Sequence, residues 1–284
     1  MDRIANIINS SDNKVATEIF VGIAICVAIY LVLYIIRMAM NKVSSSAEDS
    51  PVLLDGLVNA KYSRNVKQNP NEQYAKTLKR SMNENGIEYS YSLWLYIDGE
   101  TWHSLPATDS TVWKHIFHKG PKIETFGSSD PKDLSPIQCP GLWLHPSNNV
   151  MRLYVNSYND TNEYVEISNL PVKKWIHFVY TQSNFVSNIY INGRLKSTHT
   201  LLTLPRQNYY DLYMTENGGF HGYLSSFQYF NYVLAPSQIY DLAKAGPSLK
   251  ENSQGHQQTE TLTHMVNNQP YLSNRWWVED ITMN

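Results

Sequence analysis

Nine histidines are the first residues in this 284-residue chain that offer chemistry, and His115 and His118 stand only three apart. A divalent ion needs imidazole nitrogens that converge on one point at about 2 Å. The run Trp113 to Gly120 reads as a strand, where an odd separation sends side chains to opposite faces, so these two rings are not expected to share an ion. His145, His177, His199 and His221 are scattered among other strand-like segments with no second pair at ligand spacing. Cys139 lies in a Pro-flanked loop without a basic neighbour to activate its thiol, and there is no G-x-S-x-G elbow. Asp98-Gly99-Glu100-Thr101-Trp102 resembles an Asp-box turn but lacks the residue between Asp and Gly and occurs once, so it reads as a plain turn. Glycine loops that cradle phosphate are absent, and no cofactor is expected. The chain is therefore expected to be no enzyme.

Charge narrows the partners further. With 23 basic against 25 acidic residues, the chain lacks the positive surface that nucleic acid demands. Residues Ile19 to Ile36, IFVGIAICVAIYLVLYII, form an unbroken apolar run. As a helix rising 1.5 Å per residue it spans about 27 Å, the thickness of a bilayer's hydrocarbon core. Its twelve Leu, Ile, Val and Phe side chains favour insertion by about 4 to 7 kcal/mol. A cleaved signal peptide has a basic start and a shorter apolar core, whereas here Asp2, Asp12 and Glu18 outnumber Arg3 and Lys14 before the run. A retained single-pass anchor in a lipid bilayer is expected.

Arg3 and Lys14 before the run balance Arg37 and Lys42 after it, and Lys61, Arg64 and Lys67 tip the positive-inside count toward a cytoplasmic C-terminal domain. The two cysteines agree: Cys26 lies in the run and Cys139 far beyond it, so no disulfide framework exists. Sequons at Asn9 and Asn159 would matter only on a lumenal face. The organisation expected is a short segment over 1–18, a transmembrane helix over 19–36, a linker over 37–51, a globular domain over 52–247 and a tail over 248–284.

The globular part reads as β. Twenty Tyr, seven Trp and eight Phe with little helical periodicity suit pleated surfaces. In GIEYSYSLWLYI, Ile87, Tyr89, Tyr91, Leu93, Leu95 and Ile97 share one face and Glu88, Ser90 and Ser92 the other, which predicts a half-buried strand. Met151, Leu153 and Val155 alternate with Arg152 in the same manner. Asn192-Gly193 between Ile189-Tyr190-Ile191 and Arg194-Leu195-Lys196 is the strongest short-range hairpin signal. Pro236 opens a short helix that Gly246-Pro247 stops. Many short strands with polar turns predict an all-β fold, an antiparallel β-sandwich or jelly roll.

Trp175-Ile176-His177-Phe178, then Ile189 to Leu195, then Gly219 to Phe230 with Leu234 and Ile239 behind, resemble the concanavalin A-like, laminin G-type jelly roll. The opening segment, Leu78-Lys79-Arg80-Ser81 through Gly86-Ile87-Glu88-Tyr89 to Trp94, is similar to the version in large DNA viruses, including relatives with an N-terminal span. That resemblance implies any of several activities, since fold alone does not fix function. Hydrolytic relatives carry an E-x-D-x-x-E strand whose carboxylates stand about 5 to 5.5 Å apart. Here Glu166 stands alone in Tyr164-Val165-Glu166-Ile167, and Glu279-Asp280 lies in the tail. The resemblance leaves calcium open at loop residues Asp130, Asp133 and Asp160, although none matches a ligand motif.

Two further regions bear on partners. Asn59 to Asn85 carries Lys61, Arg64, Lys67, Lys76, Lys79 and Arg80 beside Tyr62 and Tyr74, a tract suited either to anionic headgroups or to a solvated edge. The tail QPYLSNRWWVEDITMN sets Trp276 and Trp277 at the C-terminus, too short a cluster to form a core, so it docks on its own sandwich or on a neighbour. The expectation is a non-catalytic, membrane-anchored scaffolding protein of a virion or host internal membrane. It would link the bilayer to structural proteins such as capsid proteins, with its C-terminal domain on the cytoplasmic, capsid-facing side. The alternative is a glycan-binding module in which Trp102 or Trp143 stacks on sugar rings.

Overall fold

The structure, a computed structural model, describes residues 21–34, 49–81, 86–103, 111–127, 130–159 and 163–250. The chain divides into two units, Met1–Glu48 and Asp49–Asn284. In the first, helix α1 covers residues 21–34 of the apolar run, and all its side chains are exposed. Among the described residues no helix is long and apolar enough to cross a membrane.

The second unit is two antiparallel sheets. In chain order it contains β1 (Val52–Asn59), β2 (Arg64–Val66), β3 (Glu88–Ile97), α2 (Glu100–His103), β4 (Lys114–Lys119), α3 (Pro131–Leu134), β5 (Gly141–Leu144) and β6 (Val150–Tyr154). There follow β7 (Tyr164–Ser168), β8 (Trp175–Ser183), β9 (Val186–Ile191), β10 (Arg194–Thr200), β11 (Leu212–Met214), β12 (Gly222–Phe230) and α4 (Pro236–Ala245). One sheet has the order β1-β12-β3-β8-β9-β10 and the other β2-β11-β4-β5-β6-β7. The expected all-β antiparallel sandwich is what the chain forms.

Alternation builds the shared core. Tyr89, Tyr91, Leu93, Leu95 and Ile97 of β3 face Leu142, Leu144, Met151 and Leu153 of the opposite sheet within one apolar cluster. Ser90 and Ser92, expected to face water, are buried as well. The segment after β12 folds back over them: the Ser90 hydroxyl donates to Tyr232 O at 2.8 Å and accepts from Leu234 N at 3.0 Å. Helix α4 then seats Ile239 beside Val179, Phe230 and Leu234 on that outer face. The β3 strand is thus buried on both faces, because a polar face whose hydroxyls find partners can be covered without penalty.

Turn chemistry behaves as its residue types dictate. Asn192 (φ 51°) and Gly193 (φ 78°) join β9 to β10. Asp49, Ser50 and Pro51, expected as linker, already bond to the β12 edge, with Asn231 N donating to Asp49 O at 3.0 Å and Tyr229 N to Pro51 O at 3.2 Å. Between β11 and β12 the chain turns through Thr215 (φ 49°), Asn217 (φ 52°), Gly218 (φ 76°) and Gly219 (φ 48°). A Cβ at Gly219 would meet the Ala60 carbonyl oxygen at 2.0 Å, whereas one at Gly218 meets nothing within 4 Å. Gly218→Ala is expected to cost about 1 kcal/mol from its backbone conformation alone, and Gly219→Ala roughly 3 kcal/mol. Urea unfolding of the two variants checks the difference, and equal costs would contradict the close approach.

Candidate functional site

The two described tryptophans singled out as ligand contacts, Trp102 and Trp143, pack in different clusters. Trp143 on β5 is fully buried and its indole Nε1 donates to Gln138 Oε1 at 2.7 Å. It packs with Trp113, Ile123 and Tyr154, with Phe126 and Leu134 against that cluster, and so has no face for a sugar. Trp102, in α2, is half-buried against the core with its Nε1 donating to His145 O at 3.1 Å. Trp276 and Trp277 lie outside the described residues, as does Asp160.

The open calcium question meets a filled site at Asp130. Its Oδ2 accepts from Arg152 Nη1 at 2.8 Å and its Oδ1 from the Tyr154 hydroxyl at 2.5 Å. Asp130 also caps α3, in whose first turn Asp133 stands. Glu166 is bonded as well, accepting from Arg152 Nε at 2.9 Å and Nη2 at 2.5 Å, with the guanidinium held between the rings of Trp113 and Tyr164. These acids brace the outer face of the second sheet. Within the basic tract, Lys67 pairs with Asp211 at 3.1 Å and Lys76 Nζ donates to Val52 O, so part of that charge serves the fold.

An opening at one end of the sandwich collects the free surface instead. A cavity of about 110 Å³ is lined by Arg80, Gly86, Ile87, Tyr158, Pro205 and Gln207. A smaller space of about 20 Å³ shares Arg80 and Gln207 with it and reaches inward to Tyr89, Lys119 and Cys139. Three chain segments build the rim. Ile87 N donates to Asn184 Oδ1 at 3.1 Å and Asn184 N returns to Ile87 O at 2.8 Å, close enough that a Cβ at Gly86 would collide with the Asn184 amide. Tyr158 N bonds Leu204 O at 3.2 Å and Arg206 N bonds Asn156 O at 2.7 Å, which sets the Tyr158 ring beside Pro205. The Arg80 guanidinium lies 4.4 Å from the centre of the Tyr209 ring.

Tyr158 and Tyr209 are 70% and 76% exposed, unlike the tyrosines of the core. Flat rings, a guanidinium and a primary amide around an open cavity can stack on the C–H face of a sugar and bond its hydroxyl or carboxylate oxygens. At the floor, burial draws the Lys119 ammonium down to about 8 and pushes the Cys139 thiol up to about 11. That thiol is protonated and inert at neutral pH.

The model of the Concanavalin A-like lectin/glucanases superfamily matches residues 69–240, which include the whole rim of this cavity. The chain belongs to that superfamily. No curated protein matches it. Among solved structures, the botulinum neurotoxin serotype D ligand binding domain in complex with N-acetylneuraminic acid is 13% identical over 71% of this chain and 52% of that one, with a TM-score of 0.46. The botulinum neurotoxin serotype G binding domain is 15% identical over 68% of this chain and 45% of that one, with a TM-score of 0.44. The chain spans between 36% and 53% of the length of such structures.

On the outer face of this lectin-like sandwich, His115 and His118 meet, contrary to the alternation expected of a regular strand. The β4–β5 register shifts between His115 and Phe117, so Ile116 is an extra residue, and Ile116 and Phe117 both turn into the core. A bulge restores the two flanking histidines to one face. His115 Nε2 and His118 Nδ1 are 2.9 Å apart, and His118 Nδ1 is 3.9 Å from Glu216 Oε2. Glu216 N donates to His115 Nδ1 at 2.9 Å, and His118 Nε2 bonds Pro121 O at 3.0 Å. Burial pulls His118 down to about 4 and His115 well below the usual imidazole range, and it pushes Glu216 up to about 7.

His177 on β8 is a separate case, stacked on Trp94 at 4.9 Å with Nε2 at 2.9 Å from Ser92 Oγ, and burial lowers it to about 3. The folded state therefore holds a neutral ring that the unfolded chain protonates near 6.5. Its contribution is complete above pH 6.5 and is lost as pH falls toward 3, at about 1.4 kcal/mol per pH unit. The His177 ring resonances are expected to stay those of neutral imidazole from pH 7 to pH 5. A midpoint near 6.5 in an NMR titration would contradict its burial.

Proposed function

We propose that the sandwich is a non-catalytic glycan-binding module and that the apolar N-terminal run holds it at a membrane. The observation that carries the reading is the rim itself, where exposed Tyr158 and Arg80, whose guanidinium stacks on Tyr209 of the adjoining space, border an open cavity at the sandwich end. The reading is also supported by how the acids are placed. Asp130 and Glu166 both lie against Arg152, so neither is presented to a substrate as a free acid or base.

Helix α1 supports the membrane half of the reading. It carries no charged residue, and Val21, Ile23, Ile25, Tyr30 and Leu33 each expose more than half their surface. Such a helix, apolar all round, is stable only against lipid or another apolar surface. A glycan ligand also places the sandwich away from the cytoplasm, the reverse of the expectation from distant basic residues, of which Lys67 is already engaged by Asp211. The sequon residue Asn159 is exposed next to Tyr158 and reports that orientation. A shell-linking role in a virus particle rests on the opening-segment resemblance and on the tail, and no described residue favours it.

The detergent-solubilised full chain is expected to give reproducible hits on a glycan array, with Arg80→Ala and Tyr209→Ala each weakening binding by about tenfold, the loss of roughly 1.4 kcal/mol of contact. An array without hits, alongside copurification with shell protein that competing sugar does not disturb, would overturn the glycan reading in favour of the scaffold. In cells, the chain is expected to stay with membranes under alkaline carbonate and to lose mass on glycosidase treatment unless Asn159 is replaced by Gln. Release by carbonate contradicts the anchor, and an unmodified Asn159 contradicts the orientation.

A further inference from the structure

We propose that His115, His118 and Glu216 form a binding site for a divalent transition-metal ion, with zinc the ion their donor set fits. Their ligating atoms all lie within 4.8 Å of one another, and the three residues are buried. The second, independent sign is Glu216 Oε2, a buried oxygen with no hydrogen-bond partner among the described residues, on a side chain only 10% exposed and aimed at His118. An isolated buried carboxylate oxygen calls for a cation or a donor. Two imidazoles and one carboxylate suit zinc and its late first-row neighbours, whereas calcium requires six to eight oxygens. Three protein ligands also leave the fourth tetrahedral position open to water.

The surroundings orient these ligands. His118 Nε2–H donates to Pro121 O at 3.0 Å, which fixes the tautomer and leaves the Nδ1 lone pair facing His115 and Glu216. The turn that carries Glu216 is tied to the bulge, because Thr215 N donates to Ile116 O at 3.0 Å. The same extra residue that aligns the histidines therefore also delivers the carboxylate.

Without metal the donors are linked by hydrogen bonds that define what loading must change. Glu216 N–H donates to His115 Nδ1, so the His115 ring proton sits on Nε2 and points at His118 Nδ1. For His115 Nε2 to ligate, its proton moves by way of solvent to Nδ1, giving the other neutral tautomer, and the bond from Glu216 N, which needs the Nδ1 lone pair, opens. The His115 Nε2 and His118 Nδ1 atoms, 2.9 Å apart, must separate to roughly 3.3 Å for tetrahedral ligation. The turn from Thr215 to Gly219 is the element that moves, and one amide hydrogen bond is exchanged for ligation of the orphaned oxygen.

The test uses the full chain in detergent, stripped with a chelator, equilibrated with zinc and desalted. Elemental analysis is expected to find one zinc per chain, and cobalt in its place is expected to give the visible absorption of a tetrahedral site. Glu216→Gln keeps the size of the side chain and the backbone bond, so the fold stands. It is expected to bind zinc at least about tenfold more weakly in competition with a chromophoric chelator. Zinc should raise the melting temperature of the parent and not of this variant. Retention of no more zinc by the parent than by Glu216→Gln, or an equal rise in melting temperature for both, overturns the proposal.

Discussion

Ile116 and Phe117 both turn into the core, and the remainder of the second sheet is arranged around that break in alternation. Two sheets facing one core oblige every strand to send alternate residues inward, so an extra residue in β4 must either leave an apolar side chain in water or distort the backbone. The bulge is the second solution. It keeps Ile116 and Phe117 fully buried, and its carbonyl accepts the Thr215 amide at 3.0 Å. That bond fixes where the turn into β12 begins, and β12 in turn lies between β1 and β3 in the other sheet. One inserted residue thus links the geometry of both layers.

The same insertion explains what alternation could and could not reveal. The inward faces of β3 and β6 and the Asn192-Gly193 hairpin were legible because each depends on a local period or on one dipeptide. The convergence of His115 and His118 was not, since a bulge is decided by pairing with β5, whose residues lie some distance along the chain. The burial of Ser90 and Ser92 was hidden for a similar reason: the partners of Ser90, Tyr232 and Leu234, follow β12, and that of Ser92, His177, lies on β8. The cavity rim draws on Arg80, Tyr158 and Gln207, so no window of sequence contains it.

Aromatic richness misleads for a physical reason. A sandwich core takes flat side chains readily, and their polar tips must then find partners inside. The Tyr89 hydroxyl lies 3.3 Å from that of Tyr180, which donates to Gln182 Oε1 at 2.6 Å, while the Tyr229 hydroxyl reaches Lys79 O at 2.7 Å. Trp143 follows the same rule through Gln138. Composition therefore reports the core far more than any ligand site. Tyr158 and Tyr209 differ because they sit between strands, where no opposing sheet covers them.

An open cavity of about 110 Å³ can enclose only part of a sugar, so under the proposed reading a single site of this form would hold its ligand weakly. The proposed membrane anchoring would change that arithmetic without any new contact. Under the proposed reading, copies confined to a plane would meet a multivalent glycan surface as linked modules, and each second encounter would be effectively intramolecular. On the sandwich side, Asp49 and Pro51 already bond to the β12 edge. A loose hold per site, multiplied across a surface, would suit the proposed module, whose requirement is the geometric presentation of its rim. Presentation of that rim would rest on the sandwich beneath it, with β3 buried on both faces and the β4 bulge pairing with β5.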